Sequence, residues 1–224
     1  MAFADEMINL KAIFTSLIEA LELSDPYTRG HSERVGSLAV ALGIELGLSV
    51  RELEILKDSG ALHDIGKLGI SKEILNKPGK LTSEEFDQIK SHVLFGYNIL
   101  KPLDQPELLE ITLLHHERID GQGYPYGRKD YPLLVRIVQI ADVWDALTSS
   151  RPYRDAMSYS KARELMGDGD NPFGFDTELI ETFLRLTRFT FPDDDCDPNE
   201  MDRLFKEIKQ VSPDEQLGRK TTSA

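Results

Sequence analysis

Cysteine is almost missing from this chain. Cys196 is the only one in 224 residues, which excludes an internal disulfide and any thiolate cluster for zinc or iron–sulfur and fits a reducing cytoplasm. Long apolar runs are missing too. The stretch from Leu133 to Ala141 is interrupted by Arg136 and Gln139, well short of the roughly 20 apolar residues a spanning helix needs. The N-terminus lacks a basic start, and Asp5, Glu6 and Asn9 fall where a secretory signal would be apolar. Neither export nor a membrane is expected. Basic side chains are in deficit as well: 26 Lys and Arg against 39 Asp and Glu leave a net charge of −13. A partner of long nucleic acid normally carries the opposite sign, because phosphate neutralisation supplies most of that affinity. A small phosphate ester is not excluded, since cations and a few local arginines can override the global field.

What the chain does have is helical periodicity from end to end. Met7, Leu10, Ile13, Phe14, Leu17, Ile18 and Leu21 recur at threes and fours and predict one amphipathic helix, broken by Asp25 and Pro26. A second helix opens at Ser32 and ends near Gly47, and a third runs from Glu52 to Leu62. Thr82, Ser83 and Glu85 form a capping signal for one long helix through Leu100. Further helices are expected over Pro106–His116, Val135–Thr148, Ser160–Met166, Thr177–Leu186 and Asn199–Val211. Strand signals are weak. The Gly-, Pro- and Tyr-rich stretch from Gly121 to Pro132 reads as a shaped loop, with Tyr124, Tyr126 and Tyr131 giving it bulk. The expected fold class is all-α: one domain over residues 1–190, followed by a C-terminal helix and flexible tail over 191–224.

The chain has five histidines: His31, His63, His92, His115 and His116. His63-Asp64 stands at the end of the third helix, with Lys67 four positions after His63. On a helix, neighbours point about 100° apart, so His63 and Asp64 can reach one ion from adjacent directions. Asp64 has two oxygens and could bridge two cations, and Lys67 could hold a phosphate oxygen or a developing negative charge. The plainer reading is a buried His–Asp pair satisfying each other. The adjacent imidazoles His115 and His116 are costly to bury without partners. His31 and His92 taken singly carry little weight. Asp142 lies in the apolar run Ile137–Trp144, where a carboxylate needs a cation or strong hydrogen bonds. Asp145 shares its helix face.

The order of these residues resembles the HD superfamily of metal-dependent phosphohydrolases: His31, then His63-Asp64, then Asp142. His92, His115-His116 and the run from Glu117 to Pro125, which contains Gly123-Tyr124-Pro125, resemble its HD-GYP subgroup. So do the stretches Asp25–Val35, Asn76–Thr82, Ala141–Ser149, Arg151–Arg154 and Phe175-Asp176. The resemblance covers about Ile8 to Leu186. It implies a helical HD bundle with additional C-terminal helices and a Gly-Tyr-Pro loop. It also implies a phosphodiesterase that cleaves cyclic di-GMP to linear pGpG, with further cleavage to GMP left open. His31, His63, Asp64 and Asp142 would hold one metal, and Asp64, His92, His115 and His116 a second, with Asp64 bridging. Iron or manganese suits this oxygen-and-nitrogen set. Lys67 would stabilise developing charge, while Tyr124, Arg151 and Arg154 would contact the dinucleotide and Asp25 a guanine. Some members hold a third metal through a glutamate at the position occupied here by Tyr27, so two metals are expected. The segment between Pro125 and Pro132 is shorter than is usual in the family.

In chemical terms the expectation is hydroxide generated between two cations, attacking phosphorus in line with the 3′-oxygen. A catalytically weak signalling module that binds diguanylate cyclase (GGDEF) domains is a second reading. A hydrolase of another cyclic dinucleotide, such as cyclic GMP-AMP, is a third. A homodimer is among the assemblies left open, no receiver or sensor domain is expected within these 224 residues, and whether they belong to a longer protein is open too.

Overall fold

The computed structural model describes residues 2–24, 30–150 and 155–191. The expected helix at Asn199–Val211, and Asp25, Tyr27, Arg151 and Arg154, lie outside the described residues. Ten α-helices follow in order: α1 Ala2–Ser24, α2 His31–Glu45, α3 Val50–Leu62, α4 Lys72–Leu75, α5 Ser83–Lys90, α6 His92–Leu100, α7 Pro106–Leu114, α8 Leu133–Thr148, α9 Tyr159–Met166 and α10 Thr177–Thr190. Short 3-10 turns occupy Ile65–Gly69 and Lys101–Leu103. No strand is present among the described residues, as the sequence predicts. None of the described helices is long and apolar enough to cross a membrane.

Helix α8 is the axis of the molecule. Val135, Ile137, Val138, Ile140, Ala141, Trp144 and Leu147 are all buried, covering nearly every side, as expected of a core helix rather than a surface one. Around it pack Val35, Leu38 and Leu42 of α2, Leu53 and Leu56 of α3, and Phe183 of α10. The Trp144 ring lies parallel to that of Tyr159 at 5.9 Å and edge-on to Phe183 at 5.6 Å. A smaller core of Phe14, Leu21, Leu62, Ile65, Leu100 and Leu108 seats α1 against the first 3-10 turn, α6 and α7.

Two backbone contacts set how closely the elements approach. A Cβ added to Gly60 of α3 would sit 2.6 Å from the Cα of Gly36 in α2, so these helices cross backbone to backbone. A Cβ on Gly66 would meet the carbonyl oxygen of His92 at 1.8 Å and the amide of Gly96 at 2.4 Å. The first contact brings the start of α2 toward the end of α3, and the second lays the 3-10 turn on α6.

The helix expected from Thr82 through Leu100 is two helices. Its N-terminal capping box is present, with Thr82 Oγ1 accepting from the Glu85 amide and the Glu85 carboxylate accepting from the Thr82 amide. The break falls at Ser91. The Ser91 amide donates to the Gln88 carbonyl at 3.1 Å in a tightened turn, and the Ile89 carbonyl accepts from Nδ1 of His92 at 2.7 Å. A side chain has taken the acceptor that would continue the helix, a competition that apolar spacing does not reveal. Likewise α7 ends at Leu114, leaving His115 as its cap and His116 beyond it.

Candidate metal centre

Six of the seven expected ligands stand at or just beyond the ends of helices. His31 opens α2, His63 closes α3 with Asp64 next to it, His92 opens α6, and His115 and His116 follow α7. Asp142 alone comes from the middle of a helix, α8. Lys67 is in the 3-10 turn rather than on a continued α3, and its Nζ pairs with Oδ2 of Asp64. That short salt bridge, not a shared α-helical face, brings Lys67 to the site.

Asp64 divides the cluster. Its Oδ2 faces Nε2 of His63 at 3.4 Å and Nε2 of His31 at 3.7 Å, while its Oδ1 faces Nε2 of His92 at 3.3 Å and Nε2 of His115 at 4.0 Å. Asp142 Oδ1 closes the first side, 3.4 Å from His31 Nε2 and 3.8 Å from His63 Nε2. The His116 ring lies 4.1 Å from that of His115 and closes the second side. Two groups result, His31–His63–Asp142 and Asp64–His92–His115–His116. Within each, one candidate ligand atom per residue lies within 4.8 Å of all the others.

The hydrogen bonds fix which nitrogen is offered. Nδ1 of His63 donates to the Gly60 carbonyl at 2.7 Å, Nδ1 of His92 to Ile89, and Nδ1 of His115 to Thr112 at 3.0 Å. Nδ1 of His31 donates to Asp145 Oδ2 at 2.7 Å. Each ring therefore carries a proton on Nδ1 and turns its Nε2 inward, which in the neutral ring is a lone pair. His92 and His115 oppose these nitrogens at 3.3 Å, an acceptor facing an acceptor. His63 Nε2 is buried without any hydrogen-bond partner. A cation satisfies all of these atoms at once, so the residues fit a metal.

Electrostatics favour neutral ligands on the second side of the cluster. Burial is the main force holding His92, His115 and His116 below the usual imidazole range, so they are neutral and ready to ligate. Burial opposes a charge on Asp64 as well, but Lys67 and His63 outweigh it and hold the carboxyl well below its usual range. His31 is the exception: burial is overcome by the hydrogen bonds to Asp145 and Asp64, which push it up to about 9, so a cation there takes the place of a proton on Nε2.

Three contributors were not singled out by sequence. Asp145 is buried and accepts from His31 Nδ1, and it also takes Nε and, at 3.0 Å, Nη2 of Arg34. Its place three residues after Asp142 in an apolar helix was the available signal, and the burial argument applied to Asp142 holds for it equally. Arg34 showed none. Glu117, fully buried, accepts from the amides of Tyr126 and Arg128, each at 2.7 Å, and its own carbonyl accepts from Gln139 Nε2 at 2.6 Å. It thereby clamps the loop that holds Tyr124. The Tyr124 ring stacks on His116, centroids 4.6 Å apart, at the edge of the cluster. Replacing Asp145 by Asn keeps the shape but loses the charge on the His31–Asp145 bond. Metal affinity should fall about 10- to 100-fold, measured by competition with a chelator, and unchanged affinity would remove Asp145 from the centre.

A family model described as an HD domain matches residues 15–179. This chain belongs to the HD domain family. The HD domain is 40% identical over 173 residues to a cyclic di-GMP phosphodiesterase of Thermotoga maritima, an overlap covering 75% of this chain and 46% of the relative. It is 39% identical over 160 residues to 3′3′-cGAMP-specific phosphodiesterase 3 of Vibrio cholerae, covering 70% and 35%. The chain thus spans less than half the length of these curated relatives. Among solved structures, a cyclic GMP-AMP specific phosphodiesterase of V. cholerae superposes with a TM-score of 0.61 at 20% identity, covering 91% of this chain and 54% of that one. At that identity the likeness speaks for the fold.

Proposed function

We propose that this HD domain is a metal-dependent phosphodiesterase that opens cyclic di-GMP to linear pGpG. The observation that carries the reading is Asp64, whose two carboxylate oxygens each face a separate set of inward-turned imidazoles. His31, His63, Asp64 and Asp142 are assigned to one ion and Asp64, His92, His115 and His116 to another, iron or manganese by ligand type. When bound, such a pair of cations neutralises phosphate oxygens and lowers the pKa of water toward neutrality.

The remaining work belongs to the chain itself. Asp64 stays ionised beside Lys67, and the imidazoles of His92, His115 and His116 stay neutral. Lys67 offers a positive charge at the edge of the site to the oxygen that leaves. Tyr124 walls the second set of imidazoles. Arg151 and Arg154 are assigned to the second phosphate and Asp25 to a guanine, on the HD-GYP resemblance alone. Overall, water adds to phosphorus, the bond to the 3′-oxygen breaks, and that oxygen takes up a proton. Hydrolysis of 3′3′-cyclic GMP-AMP is the second reading, supported by the name of the 39% identical V. cholerae relative. A cytoplasmic setting is supported by the single cysteine, engagement of GGDEF domains by the resemblance, and a homodimer stays open.

Protein loaded anaerobically with Fe(II), or with Mn(II), should convert cyclic di-GMP to pGpG, resolved by chromatography of the products. Turnover of cyclic GMP-AMP alone would move the assignment to the second reading. No turnover of either by metal-loaded protein would overturn both.

A further inference from the structure

Helix α5 buries none of its eight residues, and Phe86 at its centre belongs to neither apolar core, with 45% of its surface exposed. The fold nonetheless holds its helix in place. The capping box fixes the start of α5, and Lys77 Nζ pairs with Glu85 at 2.7 Å. The ring stands edge-on to Tyr124, centroids 6.5 Å apart, and Tyr124 in turn lies on His116. One turn after Phe86, Lys90 Nζ sits 4.8 Å from the Phe86 centroid and 6.0 Å from that of Tyr124, held by Asp87 Oδ1 at 2.8 Å.

We infer that Phe86 and Lys90 form a base subsite, a shelf on which one purine of the cyclic dinucleotide stacks beside the metal centre. The inference rests on the proposed function and deepens it. A phosphodiester held at the cluster carries a nucleoside on each side, and the first aromatic surface it meets beyond Tyr124 is Phe86. Every base has a π-face, so the face of Phe86 that the Lys90 ammonium does not cover binds it without regard to sequence, and Lys90 adds a positive charge beside the stack.

The test splits KM from kcat. Stacking on one aromatic ring is worth about 1–3 kcal/mol per base, so Phe86→Ala should raise KM for cyclic di-GMP about 5- to 150-fold. The value of kcat at saturation should stay within about two-fold, and Phe86→Trp should restore KM. Inorganic phosphate, which has no base, should inhibit wild type and Phe86→Ala with the same inhibition constant. If wild type turns over cyclic di-GMP and Phe86→Ala keeps its KM, the shelf is overturned and the functional reading stands. A parallel weakening of phosphate inhibition would assign Phe86 a structural role and overturn the shelf as well. If metal-loaded wild type hydrolyses no cyclic dinucleotide, the functional reading falls and takes the shelf with it.

Discussion

Asp64→Ala should empty both halves of the metal centre at once. Its Oδ2 faces His31 and His63 while its Oδ1 faces His92 and His115, so one substitution removes a donor from each set. Removal of His31 or His92 takes a donor from one set only. Metal analysis should therefore find little of either ion in Asp64→Ala, and chiefly one ion lost from His31→Ala and from His92→Ala. Turnover should drop by about a thousand-fold or more, because both the charge neutralisation and the activation of water depend on the pair. The variant also leaves Lys67 without its carboxylate, so circular dichroism must accompany the assay. A folded Asp64→Ala that keeps two ions per chain would sink the bridging assignment.

Gly66→Ala should break the scaffold rather than the chemistry. The new Cβ has 1.8 Å to the His92 carbonyl oxygen and 2.4 Å to the Gly96 amide, both backbone atoms that no rotamer change can move. The 3-10 turn must lift away from α6. Overpacking of this kind costs about 3 kcal/mol when the neighbour cannot yield, which for a domain of this size lowers Tm by about 6–12 °C. Metal affinity should fall with it, since Asp64 precedes Gly66 by two residues and His92 supplies the contacted carbonyl. Gly79→Ala is the comparison, because nothing lies within 4 Å of a Cβ there. Its positive φ of 106° adds strain but no collision. Similar melting temperatures for the two variants would refute the close-approach account.

These two glycine contacts mark where sequence reading stopped. Asp64, Asp142 and the five histidines were legible because few residue types ligate metals and their order followed a known pattern. The capping box at Thr82 was legible because it is local, two reciprocal bonds within four residues. Gly36, Gly60, Gly66 and Gly96 carried no such mark. A glycine inside a helix reads as a weakness until the backbone opposite it is known. The break at Ser91 was missed for a related reason. Apolar spacing runs unbroken through it, while the Ser91 amide turns back to Gln88 and the ring of His92 reaches back to Ile89.

The sequence by itself determined the fold class, the inventory of candidate ligands and the HD resemblance, all properties of residue type, spacing and order. Tertiary structure alone decided which oxygen of Asp64 serves which histidines. It also decided that four imidazoles carry their proton on Nδ1, and that Asp145, Arg34 and Glu117 stand behind the first ring of residues. Those are matters of approach and direction between segments far apart in the chain. They depend on how closely α2 meets α3 and the 3-10 turn meets α6, and at both crossings a missing side chain sets the distance.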